Sequence, residues 1–534
     1  MSKAMVCAAQ PEAVEAGVEV LAAGGNAVDA AVATALTQTA VDPQMCGIAG
    51  FGSMHIYVPG GEHVLLDFYG RAPLAAKPDM WLDQLVAETE DGFGFILRNR
   101  ENELGYRAIA TPMTLRGLST ALAKFGTRKL SDLIGPAIHY AETGFMVRPH
   151  VSAYWSQVPT EGRAPHAEFL THLAATKKIY AKPNGKLHAV GDTLVNRDMA
   201  ATLKRVAAAG VEDFYGGEIA GKIAADMKAN NALLSAADLA ACKVEEAKPL
   251  WGSYRGLKIA TNPPPGGGTM LLEMLNILEH FDLRALGHNS PEYIAVVAEA
   301  MKIGAVDRDA HLGDPKFVDV PVARLTSREH AAAMAERIKR GEKTDVPRLA
   351  EKKEAADTTQ VCVVDATGMC VSLTHTLGTP SGVVTDGLGF MYNGAMGAFD
   401  PRPGRSGSLA PGKARASSMA PSIVYKDGKP FFVVGAPGGT YITPGILQAI
   451  LNVVDFDMSA IEAISAPRFC ATSNTIWLTN RILRSAERDL KARGYPVKRS
   501  AQTYYFAGVH GIRVIGGQCD GAADPGRDGM AMGV

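Results

Sequence analysis

The chain has 534 residues, 47% of them hydrophobic and 20% charged, which is enough apolar material for a large globular core. A formal net charge of −1 gives no overall basic bias and so no support for a nucleic-acid or anionic-membrane partner. The sequence has no apolar run of the ~18 residues that a membrane-spanning helix needs.

At the front, Met1 to Cys7 shows no apolar stretch behind Lys3, so no secretory signal is visible and a cytoplasmic location is expected. Pro11 to Leu21 places Val14, Val18 and Leu21 on one stripe and predicts a helix that ends at Gly24-Gly25. Asn26 to Thr39, rich in Ala and Val, predicts a second, buried helix. Phe51 to Phe68 reads as a strand pair around Pro59-Gly60-Gly61. From about 110 to 345 the pattern is mostly helical, with helices expected over 115–124, 130–143, 197–208, 218–229 and 271–281. The run Pro263-Pro264-Pro265-Gly266-Gly267-Gly268 interrupts it as a rigid loop.

Residues 339–357 are crowded with charge and lack aromatics, the composition of a solvated, mobile linker. Beyond it, Asp357-Thr358-Thr359-Gln360 leads into Val361 to Val364, a polar turn at 365–368 and a second run, Met369 to Thr376. Two β-branched runs joined by such a turn predict a hairpin, with Thr376 folded back beside Thr358. Threonine is a favoured strand residue, so a Thr-Thr pair at a strand start can be β-propensity alone. It can also be the start of a self-cleaved fragment, whose new α-amine would lie next to a hydroxyl. The linker divides the chain into 1–357 and 358–534.

Two further segments carry candidate chemistry. Phe431 to Gly435 reads as a buried strand running into Pro437-Gly438-Gly439, where adjacent glycines either form a plain turn or aim successive N–H groups at one point, as an oxyanion hole requires. Ser417-Ser418 either caps a local turn or donates hydroxyls to a substrate carboxylate. The seven cysteines (7, 46, 242, 362, 370, 470 and 519) form no CxxC pair and read as reduced thiols, Cys362 and Cys370 included. No HExxH is present, and His166 and His172 lack a third ligand nearby, so neither a metal nor a cofactor is expected.

Taken in order, these residues resemble the γ-glutamyltranspeptidase family nearly end to end. The resemblance rests on 23–31 (Ala-Gly-Gly-Asn-Ala-Val-Asp-Ala-Ala), 42–50 and the Pro/Gly loop at 263–268. It continues through Asp307-Arg308, Leu312 to Pro315, Asp357-Thr358-Thr359, 417–421, 437–439, 466–469 and Asp524-Pro525. It implies an α+β fold, the four-layer αββα sandwich of N-terminal nucleophile hydrolases, and a precursor cut between Asp357 and Thr358. The fragments 1–357 and 358–534 would stay intertwined as large and small subunits, with a homo-oligomer of that pair conceivable. Thr358 then matches the nucleophile, Thr376 the threonine that supports it, and Gly438 and Gly439 the oxyanion hole. In the cut chain the nitrogen of Thr358 becomes an α-amine with a reference pKa of about 7.7–8.0, suited to a general base.

The chain departs from the family where a γ-glutamyl head group would be held. The position of the family's carboxylate-binding arginine falls on Tyr69, with Arg71 two residues on. Alanines and glycines within 392–399 stand where the family has amide or acidic residues, and Gly378 replaces an asparagine. A buried ammonium without those partners is penalised by desolvation. The expected activity is therefore amide cleavage through an acyl-enzyme on Thr358, with a glutaryl-like or short dicarboxylic acyl group held by Ser417, Ser418 and Arg71. A conventional γ-glutamyltransferase or glutathione hydrolase is the alternative, and a non-catalytic binding protein the third. The expected partner is a small-molecule amide.

Overall fold

The computed structural model describes residues 2–157, 162–349 and 357–534. Two antiparallel sheets stacked between helices organise it. The first contains seven strands: β1 (Met5–Ala9), β2 (Phe51–Val58), β3 (Glu62–Phe68), β4 (Glu245–Ala247), β7 (Asp357–Val364), β8 (Cys370–Gly378) and β13 (Gly529–Gly533). Their order is β13-β1-β7-β8-β2-β3-β4. The second contains β5 (Leu250–Tyr254), β6 (Leu257–Thr261), β9 (Ser422–Lys426), β10 (Lys429–Gly435), β11 (His510–Ile515) and β12 (Gln518–Ala523), ordered β12-β11-β10-β9-β6-β5.

The strand sequences explain the stacking. Successive side chains on a strand point to opposite faces. On β7, Val361 and Val363 join the main core under the helices, whereas Cys362 and Val364 join a smaller cluster between the sheets. Strand β1 divides the same way, with Val6 and Ala8 on the helix side and Met5 and Cys7 between the sheets. A strand buried on both faces has to be apolar throughout, which is why these runs show no polar alternation.

Helices α1 (Pro11–Ala22) and α2 (Ala27–Val41) cover the first sheet, α2 lying on β7 and β8. Helices α3 (Gly268–Leu278) and α5 (Ile442–Val454) pack on β5 and β10 of the second, with α4 (Pro291–His311) against α3. Helix α2 begins with a capping box between Asn26 and Asp29. The Asp365 carboxylate accepts the Ala27 N–H at 2.9 Å, and its other oxygen accepts the N–H groups of Thr367 and Met369 in the β7–β8 turn. One side chain thus fixes both the hairpin turn and the start of the helix above it.

The helices at 11–22 and 27–41, the strand pair at 51–68 and the hairpin at 357–378 follow the sequence closely. The middle departs from it in three places. The helix expected over 130–143 is two, Leu130–Leu133 and Gly135–Thr143, because Pro136 opens a new first turn. The hairpin β5–β6 inside the nominally helical region was not expected. Its strands are five residues each, and they turn at Arg255-Gly256, both at positive φ. The proposed linker is partly fixed. The N–H of Thr344 donates to Glu299 at 2.7 Å, that of Val346 to Asn474 at 2.9 Å, and the carbonyl of Leu349 accepts from Glu88 at 2.7 Å. Val346 itself is fully buried, so backbone bonds and one apolar anchor hold 344–349 despite its charge. Residues 350–356 of that linker lie outside the described residues.

Replacing Asp365 by alanine should orphan the turn N–H groups and the Ala27 N–H in the first turn of α2, lowering the unfolding free energy by about 2 kcal/mol. Urea denaturation monitored by far-UV circular dichroism measures this. A loss within about 0.5 kcal/mol would show that the turn holds without its acceptor.

Candidate active site

Thr358 stands at the start of β7, where the pairing with β8 slips. Asp357 opposes Gly378 and Thr359 opposes His375, so β8 carries one residue more than β7 across this interval. Such an irregularity bends the strand and re-aims a side chain. Here it brings the Thr358 hydroxyl oxygen 3.1 Å from that of Thr376, with both residues buried. The Thr376 hydroxyl also accepts the N–H of Gly378 at 2.7 Å, which locks its orientation.

Both threonines open onto a cavity of about 520 Å³. Ser417, Ser418 and Gly439 line it too, together with Gly378 and Ala398. The serine pair is held from behind by the Pro/Gly loop. The Ser417 N–H donates to the carbonyl of Pro265 at 2.9 Å, and the Gly267 N–H donates to that of Met419 at 2.8 Å. A Cβ at Gly267 would lie 2.6 Å from the Ser418 carbonyl oxygen, so this approach requires glycine. Ser417 Oγ meanwhile accepts the Met419 N–H at 3.1 Å, as the turn-capping reading of that serine expects, and the residue also lines the cavity.

Gly438 and Gly439 connect β10 to the N-terminus of α5, with φ of 130° and 57°. A Cβ at Gly438 would come within 2.9 Å of the Ala507 backbone. Gly439 lines the threonine cavity, whereas Gly438 lines a neighbouring one of about 460 Å³. The glycine pair lies between the two spaces, where the partial positive end of a helix favours developing negative charge.

The remaining lining is strongly cationic. Arg308, Arg348, Arg402, Arg405 and Arg415 contribute to it, against the carboxylates of Glu88, Asp309 and Asp400. Arg308 and Arg348 pair with Asp309, Arg402 with Glu88 and Asp400, and Arg405 with Asp400 at 3.8 Å. The described lining includes no histidine and no lysine. His375, next to Thr376 in sequence, faces the other way. Its Nε2 meets Gln38 at 2.9 Å, Gln38 donates to Thr359 at 3.0 Å, and burial holds the imidazole neutral with its pKa down at about 3.

Two expected substrate contacts lie elsewhere. Arg71 is committed to Glu245 at 2.7 Å and to Asp314 at 3.2 Å, and Tyr69 is buried with its hydroxyl accepting from Asn262 at 2.7 Å. Neither lines the cavity. Both follow β3 closely, and the chain there bridges Ala414 from behind the serine segment, which draws Arg71 toward the acids of β4 and the 314 turn. Of the small residues at 395–398, only Ala398 reaches the lining. Sequence reasoning missed Arg415 and Phe93, which stand in irregular segments without a periodic signal.

A second group of donor side chains, Glu273, Asp307 and His330, converges from three helices, all its ligand atoms within 4.8 Å of one another. The set could hold a cation, contrary to the sequence expectation, but none of its members lines the cavity. Burial and the neighbouring Asp307 push the Glu273 carboxyl up.

Thr376→Val keeps the shape of the side chain and removes the 3.1 Å and 2.7 Å hydrogen bonds. Amide turnover should fall by about 30–100-fold, equivalent to about 2–3 kcal/mol of lost support, beside a stability loss of about 1–2 kcal/mol from orphaning the Gly378 N–H. Steady-state kinetics on an anilide substrate reads this, and an unaltered kcat would remove Thr376 from the reaction.

The gamma-glutamyltranspeptidase family model matches residues 13–534. The chain is 40% identical over 506 residues to acylase ACY 1 proenzyme of Pseudomonas sp. strain V22, covering 93% of this chain and 88% of the relative. It is 36% identical over 482 residues to glutathione hydrolase proenzyme of Escherichia coli K12, covering 87% and 80%. In structure it superposes on cephalosporin acylase from Bacillus halodurans with a TM-score of 0.88 at 26% identity, covering 100% and 96% of the two chains. On that family match and the stacked-sheet architecture, the chain belongs to the gamma-glutamyltranspeptidase family and is an amide hydrolase of the N-terminal nucleophile type.

Proposed function

We propose that the precursor cuts itself between Asp357 and Thr358 and then cleaves amides whose acyl group carries a terminal carboxylate but no α-amine. The contact between the hydroxyls of Thr358 and Thr376, in a cavity whose described lining offers no histidine or lysine as a base, is what chiefly supports this assignment. With no such base at hand, the α-amine of Thr358 itself is the group placed to take the hydroxyl proton.

In the reaction, Oγ of Thr358 attacks the substrate carbonyl carbon while its proton passes to the α-amine. The carbonyl oxygen becomes an oxyanion that accepts from the N–H groups at Gly438 and Gly439. The C–N bond then breaks and the amine leaves with the proton held by the Thr358 ammonium. Water adds to the resulting ester in the same way, its proton taken by the α-amine, and the carboxylic acid is released. Thr376 polarises the attacking hydroxyl throughout.

Three features support an acyl group with a negative end. Among the described lining residues, arginines outnumber carboxylates five to three. Ser417 and Ser418 present polar groups to it, and Ala398 presents none where an ammonium would need a partner. Glu88, Asp309 and Asp400 are each already paired with arginine, so they are poor partners for a second cation. The relatives include one named acylase and another named glutathione hydrolase, which makes the acyl preference the property to measure. The seven free cysteines suit a reducing, cytoplasmic setting, and no described helix is long and apolar enough to cross a membrane.

Intact-mass analysis of purified protein should resolve two fragments, the smaller beginning at Thr358, and Thr358→Ala should remain one folded chain. Wild-type protein that stays uncut yet hydrolyses amides would overturn the nucleophile assignment. The kcat/KM for a glutaryl anilide should exceed that for its γ-glutamyl counterpart, and Ala398→Asp should move the ratio back toward γ-glutamyl. A clear γ-glutamyl preference in the wild type would favour the glutathione-hydrolase alternative.

Because the α-amine must be unprotonated to act as base, kcat/KM should rise as pH increases through about 7.7–8.0, the reference range for that group. A profile flat across that range would assign the base elsewhere.

A further inference from the structure

The turn that carries Gly438 and Gly439 is held from outside. Two glycines in sequence supply no side chain to anchor it, and both lie at positive φ. Thr440, the next residue, supplies the anchor: its hydroxyl donates to Asp91 Oδ2 at 2.7 Å, with both residues buried. The other oxygen of Asp91 accepts the Phe93 N–H at 3.0 Å, so the carboxylate is fixed from its own loop as well. That loop is the turn of a short hairpin, Leu85–Glu88 with Phe95–Leu97. Neighbours of Asp91 tie the loop to residues of 358–534, Glu88 through Arg402 and Glu90 through Trp477 Nε1 at 3.1 Å. A Cβ at Gly92 would lie 2.5 Å from Arg308 Nη2, so the turn rests against the cavity wall.

Resting on the proposed amide hydrolysis, we propose that Asp91 is a positioning residue for the oxyanion hole: through Thr440 it holds the Gly438-Gly439 turn with its N–H groups toward the reacting carbonyl. Thr440 lines the threonine cavity, and Asp91 stands behind it, outside the described lining. An oxyanion hole works because its donors are in place before the charge develops. A glycine pair is the segment least able to keep its own orientation, and a small misplacement of such donors lowers the rate steeply. A hydroxyl bonded to a buried carboxylate is a strong tie for that purpose. Negative charge so close to an oxyanion opposes it, so what Asp91 contributes is geometry. A neutral amide of the same shape satisfies the same contacts: its oxygen accepts from Phe93, and its NH2 donates to Thr440 Oγ once the hydroxyl has turned. Asp91 and Thr440 are 349 residues apart, and on the proposed cut their bond joins the large fragment to the small one.

The test uses mature wild type, Asp91→Ala, Thr440→Val, the double variant, Asp91→Asn and Thr440→Ser with a glutaryl anilide. Intact mass establishes that each chain has been cut, and far-UV circular dichroism that it is folded. Asp91→Ala and Thr440→Val should each lower kcat by about 10-fold or more with KM changed less than about 2-fold, because the acyl group binds as before and only the transition state loses its donors. The double variant should lose no more than the larger single loss, since both changes break one bond. Asp91→Asn and Thr440→Ser should keep kcat within about 3-fold of wild type. The pH at which kcat/KM rises should not move in any variant, because the base is untouched. If Asp91→Ala stays uncut, Thr440→Val decides, because it keeps the shape of the side chain.

A kcat within about 2-fold of wild type in both Asp91→Ala and Thr440→Val would overturn the tether, as would additive losses in the double variant. A loss in Asp91→Asn as deep as that in Asp91→Ala would overturn the geometric role. A raised KM with kcat unchanged would place the pair in substrate binding instead. Each of these, in a wild type that hydrolyses the anilide, leaves the Thr358 mechanism standing. A wild type that hydrolyses neither glutaryl nor γ-glutamyl anilide would overturn both.

Discussion

The hydrogen bond between the hydroxyls of Thr358 and Thr376, 3.1 Å long, depends on register. The two residues are 18 apart in sequence and meet only if β7 and β8 pair as they do, with one extra residue of β8 accommodated beside Thr358. A slip by one residue would turn every side chain of the hairpin to its opposite face. Two unlike cores prevent that slip. Val361 and Val363 must meet the helices, and Cys362 and Val364 must meet the second sheet. Asp365 then fixes the turn and ties it to α2. The threonine pair is thus positioned by burial on both sides of one strand, and no loop has to adjust to bring it together.

That rigidity bears on the chemistry. The described lining has no histidine or lysine, and the nearest imidazole, His375, is held neutral on the far face of β8. The proposed base can then exist only after the peptide bond before Thr358 is broken, since an amide nitrogen has no basic lone pair. On the proposed scheme folding and activity are separate events: the sandwich assembles as one chain, and the cut supplies the missing amine. The segment 344–349, fixed to Glu88, Glu299 and Asn474 and lining the cavity through Arg348 and Leu349, ties the large fragment to the site on the proposed scheme.

Much of this was legible in the sequence, for identifiable reasons. The hairpin was readable because both strands are rich in Val and Thr and the turn is polar. The helices at 11–22 and 27–41 were readable from their periodicity, cap and glycine stop. The serine and glycine pairs were readable as candidates because each is a local motif, and both pairs line cavities. What failed was whatever depends on distant chain segments. Arg71 was expected at the acyl group from its position near a motif, but acids 174 and 243 residues away hold it instead. Arg415 gave no signal as a cavity residue, because its place there is set by rings from 51 and 93. The charged linker was misjudged over 344–349, where buried backbone bonds outweigh composition.

The central claim is that Thr358, as the first residue of a freed fragment, carries the acyl group during turnover. Its most direct test is to mix mature enzyme with a glutaryl ester, quench in acid within the first turnover, and map the fragments by mass spectrometry. The account predicts one glutaryl group on the fragment that begins at Thr358, attached through its Oγ and lost on further incubation. An acyl group on any other residue, or turnover with no acylated fragment in the presteady state, would contradict it.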